Sequence, residues 1–88
     1  MKLAFLSGFE KDLRKTKDKR LAEIVLECIQ LFEKAEKLDD IPNVKKIKGH
    51  KTAYRYRKGR YRIGFYFNNN LVTFAAFAPR DKVYKQFP

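Results

Sequence analysis

Residues 54–67 read YRYRKGRYRIGFYF, and the order of residue types in this stretch decides the fold. Aromatic residues alternate with arginine, and Lys58-Gly59 interrupts the run. A period of two with aromatic enrichment marks half-buried strands, and a glycine-containing turn between two such runs marks a hairpin. Working outward, antiparallel strands are expected near 52–58, 60–68 and 71–78. The last two are joined at Asn68-Asn69-Asn70, residues that tolerate the left-handed conformation of a tight turn. In the second strand Tyr61, Ile63, Phe65 and Phe67 share one face, and Arg60, Arg62, Gly64 and Tyr66 share the other. In the first strand Tyr54 and Tyr56 lie opposite Arg55 and Arg57, whose positions are roughly 7 Å apart at about 3.3 Å per residue. The sheet therefore has an apolar face, which must meet helices, and an arginine face. The third strand, LVTFAAFA, is apolar at nearly every position, as in a central strand covered on both sides or lining a shallow cleft.

Upstream the period changes. Leu21, Ile24, Val25, Cys28, Ile29, Phe32 and Ala35 recur at three and four, predicting an amphipathic helix from about 18 to 37. Before it, Ser7-Gly8-Phe9-Glu10 has the spacing of a capping box and predicts a short helix through about Lys15. KLAFL at 2–6 reads as an edge strand. Pro42 ends the helical region, because proline cannot continue a helix and disfavours helical geometry in the residue before it. The expected architecture is α+β, one domain over 1–88, with an N-terminal helical hairpin packed on one face of a small antiparallel sheet.

Charge narrows the function. The formal charge is +11, yet residues 1–40 hold nine Lys/Arg against nine Asp/Glu. Ten Lys/Arg and no acid fall between Ile41 and Arg80. General solubility is served equally well by mixed charge, so the segregation points to a polyanion, either nucleic acid or an acidic protein. No apolar run approaches the roughly 20 residues that span a bilayer. The early charges in MKLAFLSGFEKD do not suit a signal peptide, and the lone Cys28 cannot form an internal disulfide, so a cytoplasmic protein is expected. One His, one Cys and an acid-free basic segment disfavour a metal site, and no phosphate-cradling glycine motif is present.

An arginine-lined face suits RNA cleavage without a metal. Such cleavage requires activation of the 2′-hydroxyl, stabilisation of negative charge on the phosphoryl oxygens, and protonation of the departing 5′-oxygen. Arginine serves the second task because its planar donors grip two phosphate oxygens and stay charged. Tyr84 is the candidate acid or base, since neighbouring positive charge favours a phenolate. Plainer readings stand beside these: arginines that solvate an open sheet, a packing role for Tyr84, a solvated loop histidine at His50, and a core thiol at Cys28.

The run KIKGHKTAYRYRKGRYRIGFYF, a third strand, and then APRDKVYKQF resemble the RelE/ParE superfamily of type II toxins, with the helical pair in the expected place before the sheet. The resemblance covers nearly the whole chain and implies the RelE-like microbial RNase fold. In the RelE-like branch it implies an endoribonuclease that cuts mRNA in the ribosomal A site, leaves a 2′,3′-cyclic phosphate and uses no cofactor. Carried onto this chain, it implies phosphate binding by Arg55 and Arg57, transition-state stabilisation by Arg62, leaving-group stabilisation or protonation by Arg80, and orientation or activation of the 2′-hydroxyl by Tyr84. Relatives often carry lysine where this chain has Arg55 and Arg57, and arginine does not readily release a proton. Lys51 and Lys58 are the neighbours able to substitute as substrate-binding or proton-accepting groups, with Tyr84 otherwise bearing the acid-base work. The implied partners are a cognate antitoxin, the ribosome and mRNA, with no membrane and no metal. Two alternatives remain: a ParE-like inhibitor of DNA gyrase, and a non-catalytic basic RNA-binding or ribosome-binding module.

Overall fold

The computed structural model describes residues 1–83 and 87–88. The chain opens with strand β1 (Lys2–Phe5), followed by helices α1 (Ser7–Lys15) and α2 (Lys19–Lys34) and a single 3-10 turn (Leu38–Asp40). Strands β2 (Val44–Lys46), β3 (Ala53–Lys58), β4 (Tyr61–Asn68) and β5 (Leu71–Pro79) come next, and a short helix α3 (Arg80–Val83) ends the series. The sheet has five strands in the order β1-β5-β4-β3-β2.

The three expected strands and two helices form, with three differences. The edge strand expected at 2–6 forms as β1 and opens the chain, so the helical pair is not the N-terminal element. The sheet is mixed rather than antiparallel: β1 lies parallel to β5, with Lys2 opposite Leu71 and Phe5 opposite Phe74. That pairing joins opposite ends of the chain, where no turn chemistry announces it. The third difference is β2, which pairs antiparallel with β3 through Val44 opposite Tyr56 and Lys46 opposite Tyr54. Its three residues, VKK, are too short and too charged to show a period.

Local chemistry explains the joints. The expected capping box does not form, because α1 begins at Ser7 itself and Leu6 precedes it without a side-chain cap. Asp18 caps α2, its Oδ1 accepting from the Leu21 N–H at 3.0 Å. Ala35 leaves helical geometry at ψ 139°, a turn earlier than the periodicity suggests. Gly59, Asn69 and Asn70 adopt positive φ, as tight hairpin turns with right-handed strand twist require.

The helices cover the aromatic face. Phe32 is fully buried, with its ring edge-on to Tyr56, Phe65 and Phe74 at 5.7, 5.0 and 5.3 Å between centroids. Phe9 stacks on Phe74 and meets Phe77 edge-on. Truncating an aromatic at such a position costs about 3–5 kcal/mol. A bulge opposite Gly64/Phe65 shifts the β4–β5 register so that Phe65 pairs with Phe74 and Gly64 with Ala76. This extra residue resets the alternation, placing both Phe74 and Phe77 in the helical core. Ala76 and Ala78 turn to the second face, where they form a smaller apolar cluster with Ala53, Val83 and Phe87. The unbroken apolar run of β5 thus reflects burial on both sides.

Candidate functional site

The second face of the sheet is divided. One part is covered by Val83 and Phe87, and the other opens into a cavity of about 420 Å³ lined by Asn43, Val44, Lys45, Arg55, Arg57, Arg62 and Arg80. No acid stands among these described residues. Arg55 and Arg57 project from β3 by strand alternation. Lys45 sits opposite Arg55 on β2, and Arg62 opposite Arg57 on β4, so two like-charged pairs face each other across neighbouring strands. Such pairs are destabilising by themselves. Arg80 begins α3, where its backbone N–H donates to the Arg60 carbonyl at 2.9 Å.

Arg62 is the fixed member of this ring. Only 7% of it is exposed, and its Nη1 donates to the carbonyls of Gly59 at 2.8 Å and Tyr61 at 2.9 Å. These two bonds tie the guanidinium beneath the β3–β4 turn and leave the Nε and Nη2 donors for other partners. Burial lowers its pKa first, and the positive charges of Arg80, Arg57 and Arg55 lower it further. An arginine so placed still remains protonated at neutral pH. The result is a preorganised cation whose repulsive surroundings would be relieved by an anion.

Arg55, Arg57 and Arg62, which share a strand face, line one cavity together with Arg80 from the start of α3. Lys58 lines an adjoining cavity together with Asn43, Arg57, Gly59 and Arg62. Lys51 lines a different one, formed by the β2–β3 loop with Lys46, Ile47, Lys48, Gly49 and His50. Tyr84 lies outside the described residues. Arg60 belongs to the turn rather than to the arginine face, and its guanidinium lies over the Tyr61 ring at 5.8 Å. The sequence reading missed Asn43 and Lys45 as lining residues. Asn43 adopts φ 63°, and its carbonyl accepts the Arg57 N–H at 3.0 Å. The acid-free charge run contained Lys45, but without β2 nothing placed it opposite Arg55.

The two residues outside the basic segment's chemistry are accounted for. Cys28 is buried in the helical core, which pushes its thiol pKa up. His50 is an exposed loop residue. Among the described residues, no three of His, Cys, Asp and Glu come together as a metal site, and no helix is long and apolar enough to cross a membrane. The arrangement suits a phosphodiester: several planar donors converge on one cavity, and the sheet backbone holds them in place.

No protein-family model matches the chain. It is 36% identical over 92 aligned residues to Toxin RelE3 of Methanocaldococcus jannaschii, with all of both chains covered. The crystal structure of the RelB-RelE antitoxin-toxin complex from Methanococcus jannaschii matches with a TM-score of 0.76 at 30% identity, covering 97% of this chain and 99% of that one. The archaeal RelE-RelB complex from Pyrococcus horikoshii OT3 shares the fold at a TM-score of 0.68 and 21% identity, over 92% and 96% of the two chains. With the fold reproduced from end to end and more than a third of aligned positions identical to a full-length relative, this chain belongs to the RelE family of toxins.

Proposed function

We propose that this RelE-family chain acts as a ribosome-dependent mRNA endonuclease within a type II toxin-antitoxin pair. The observation that carries the reading is the single cavity ringed by Arg55, Arg57, Arg62 and Arg80, with no acid among its described lining residues. Arg55 and Arg57 hold the strand's phosphates. Arg62, anchored by two carbonyls, meets the charge that develops on the phosphoryl oxygens as the 2′-hydroxyl attacks. Arg80, lining the same cavity from the start of α3, stabilises the departing 5′-oxygen. Tyr84 orients or activates the 2′-hydroxyl, and Lys58, beside the cavity, is the neighbouring amine that assists. The products are a 2′,3′-cyclic phosphate and a free 5′-hydroxyl, so atoms balance without water or cofactor in this step. An antitoxin partner is supported by the Methanococcus jannaschii neighbour, which was solved in complex with RelB.

The test is induced expression with message integrity and translation followed together. Primer extension should reveal new 5′ ends inside translated codons. Arg62→Ala should slow cleavage by about 10²–10³-fold, the usual effect of removing a donor aimed at developing oxyanion charge. Arg62→Lys should stay strongly impaired, because it keeps the charge and loses the two-carbonyl anchor and planar donors. If these variants, Arg80→Ala and Tyr84→Phe all cut as fast as wild type, the assigned chemistry is wrong. Growth arrest with intact messages and blocked supercoiling by purified gyrase would favour the gyrase reading instead.

A further inference from the structure

The arginine cavity does not end at the sheet. The adjoining cavity lined by Asn43, Arg57, Lys58, Gly59 and Arg62 shares three of its residues with the first. It in turn shares Lys58 and Gly59 with a third cavity of about 470 Å³, lined by Arg20, Ile24, Lys58, Gly59, Arg60 and Tyr61. The three follow one another round the tip of the β3–β4 hairpin, from the arginine face to the face covered by α2. At the crossing point Gly59 is a low ridge: a Cβ built there meets no atom within 4 Å.

We propose that this third cavity is a second RNA-backbone site, into which a phosphodiester strand continues after passing the hairpin tip. The proposal rests on the ribonuclease reading for the first cavity and extends it to a surface that reading leaves unused. Arg20, Lys58 and Arg60 are exposed cations that line the site without an acid among them. The nearby acids are engaged. Asp18 accepts the Leu21 N–H on Oδ1 and the Tyr61 hydroxyl on Oδ2, and Glu23 pairs with Arg20 at 3.5 Å. An exposed pair of this kind contributes little and exchanges readily for a phosphate. Tyr61, held by Asp18 and flanked by the Arg60 guanidinium, offers a fixed aromatic ring beside the cations. Several cations beside a ring suit a strand that carries one phosphate and one base per step.

The experiment uses the full chain and RNA that cannot be cut, a trinucleotide and a dodecanucleotide with 2′-O-methyl groups, over a range of salt. The wild type should bind the longer RNA with the steeper salt dependence. Arg20→Gln/Arg60→Gln should lower that slope by about 1.4, at ~0.7 for each phosphate of a single strand that is no longer neutralised, and leave trinucleotide binding as it was. Lys11→Gln/Lys15→Gln, the same charge change at exposed positions on α1, should leave both unchanged. Intact ribosomes form the second arm: weaker binding of the free dodecanucleotide assigns the site to the substrate strand, and weaker binding of ribosomes alone assigns it to ribosomal RNA. Unchanged binding in both arms overturns the proposal. So does an equal effect of the α1 control, or an effect confined to a polyglutamate peptide. Cleavage is scored separately. RNA binding through Arg20 and Arg60 without any cutting would keep this site and remove the ribonuclease reading, whereas cutting with unaltered binding would do the reverse.

Discussion

Arg57 and Arg62 face each other across the β3–β4 ladder, and their repulsion is stability given up in the absence of a ligand. Arg57→Gln should therefore stabilise the protein by about 0.2–1 kcal/mol, the size of a cross-strand pair term. In a domain of this size that raises Tm by several degrees, and the gain should shrink in high salt as screening removes the repulsion. The same variant should bind RNA more weakly, and thermal melts paired with binding measurements check both halves. A second residue effect concerns pH. Burial pushes the Cys28 thiol up from its ordinary 9.0, and burial, with the Glu27 charge after it, pushes the Tyr56 hydroxyl up. The folded chain then keeps protons that the unfolded chain releases. This contribution is fully present below about pH 9 and is lost as pH rises, by at most about 1.4 kcal/mol per pH unit for each group. Urea midpoints should fall as pH rises from about 9 to about 11, and less steeply in Cys28→Val.

At the scale of elements, the packing of the C-terminal segment depends on a glycine on β4, the strand next to the one that leads into α3. A Cβ on Gly64 would lie 2.5 Å from the Phe87 ring, which also packs against Tyr66 at 5.1 Å. Gly64→Ala should cost about 1–3 kcal/mol by overpacking. It should also slow cleavage, because Phe87 and Val83 hold the segment that carries Arg80. In a cycle with Phe87→Ala the double variant should be less damaged than the sum of the singles, with a coupling of about 0.5–3 kcal/mol. Additive effects in urea denaturation would show that the two do not meet. Elements also mark where the sequence was readable. The aromatic alternation of 54–67 and the stripe from Leu21 to Phe32 named β3, β4 and α2, since burial on one face imposes a period. The Ser7-Glu10 spacing misled, because α1 already includes Ser7 and leaves it no position from which to cap. KLAFL read as an edge strand, but neither its parallel partner nor β2 was given by local chemistry, because parallel pairing leaves no turn and three residues leave no period.

For the molecule as a whole, charge segregation is the feature with the broadest consequence. Ten cations without an acid lie between 41 and 80, on the β2–β5 part of the sheet and its loops and at the start of α3. If the four arginines of the first cavity each neutralise a phosphate, log K for a short single-stranded RNA should fall against log salt with a slope of about −3. A slope near zero would mean that the cavity does not engage the backbone. Residue types and periods alone determined the helical and strand character of most of the chain, the sorting of Tyr and Phe from Arg along β3 and β4, and the segregation of positive charge. These are properties of neighbours in sequence, where alternation and helical pitch dictate which side chains share a face. Only the tertiary structure decided that Lys45 stands opposite Arg55, that a bulge puts Phe74 and Phe77 in one core, and that Arg80 closes a ring begun by β3 and β4. Each of those depends on register between distant segments, which is set by packing the whole sheet at once.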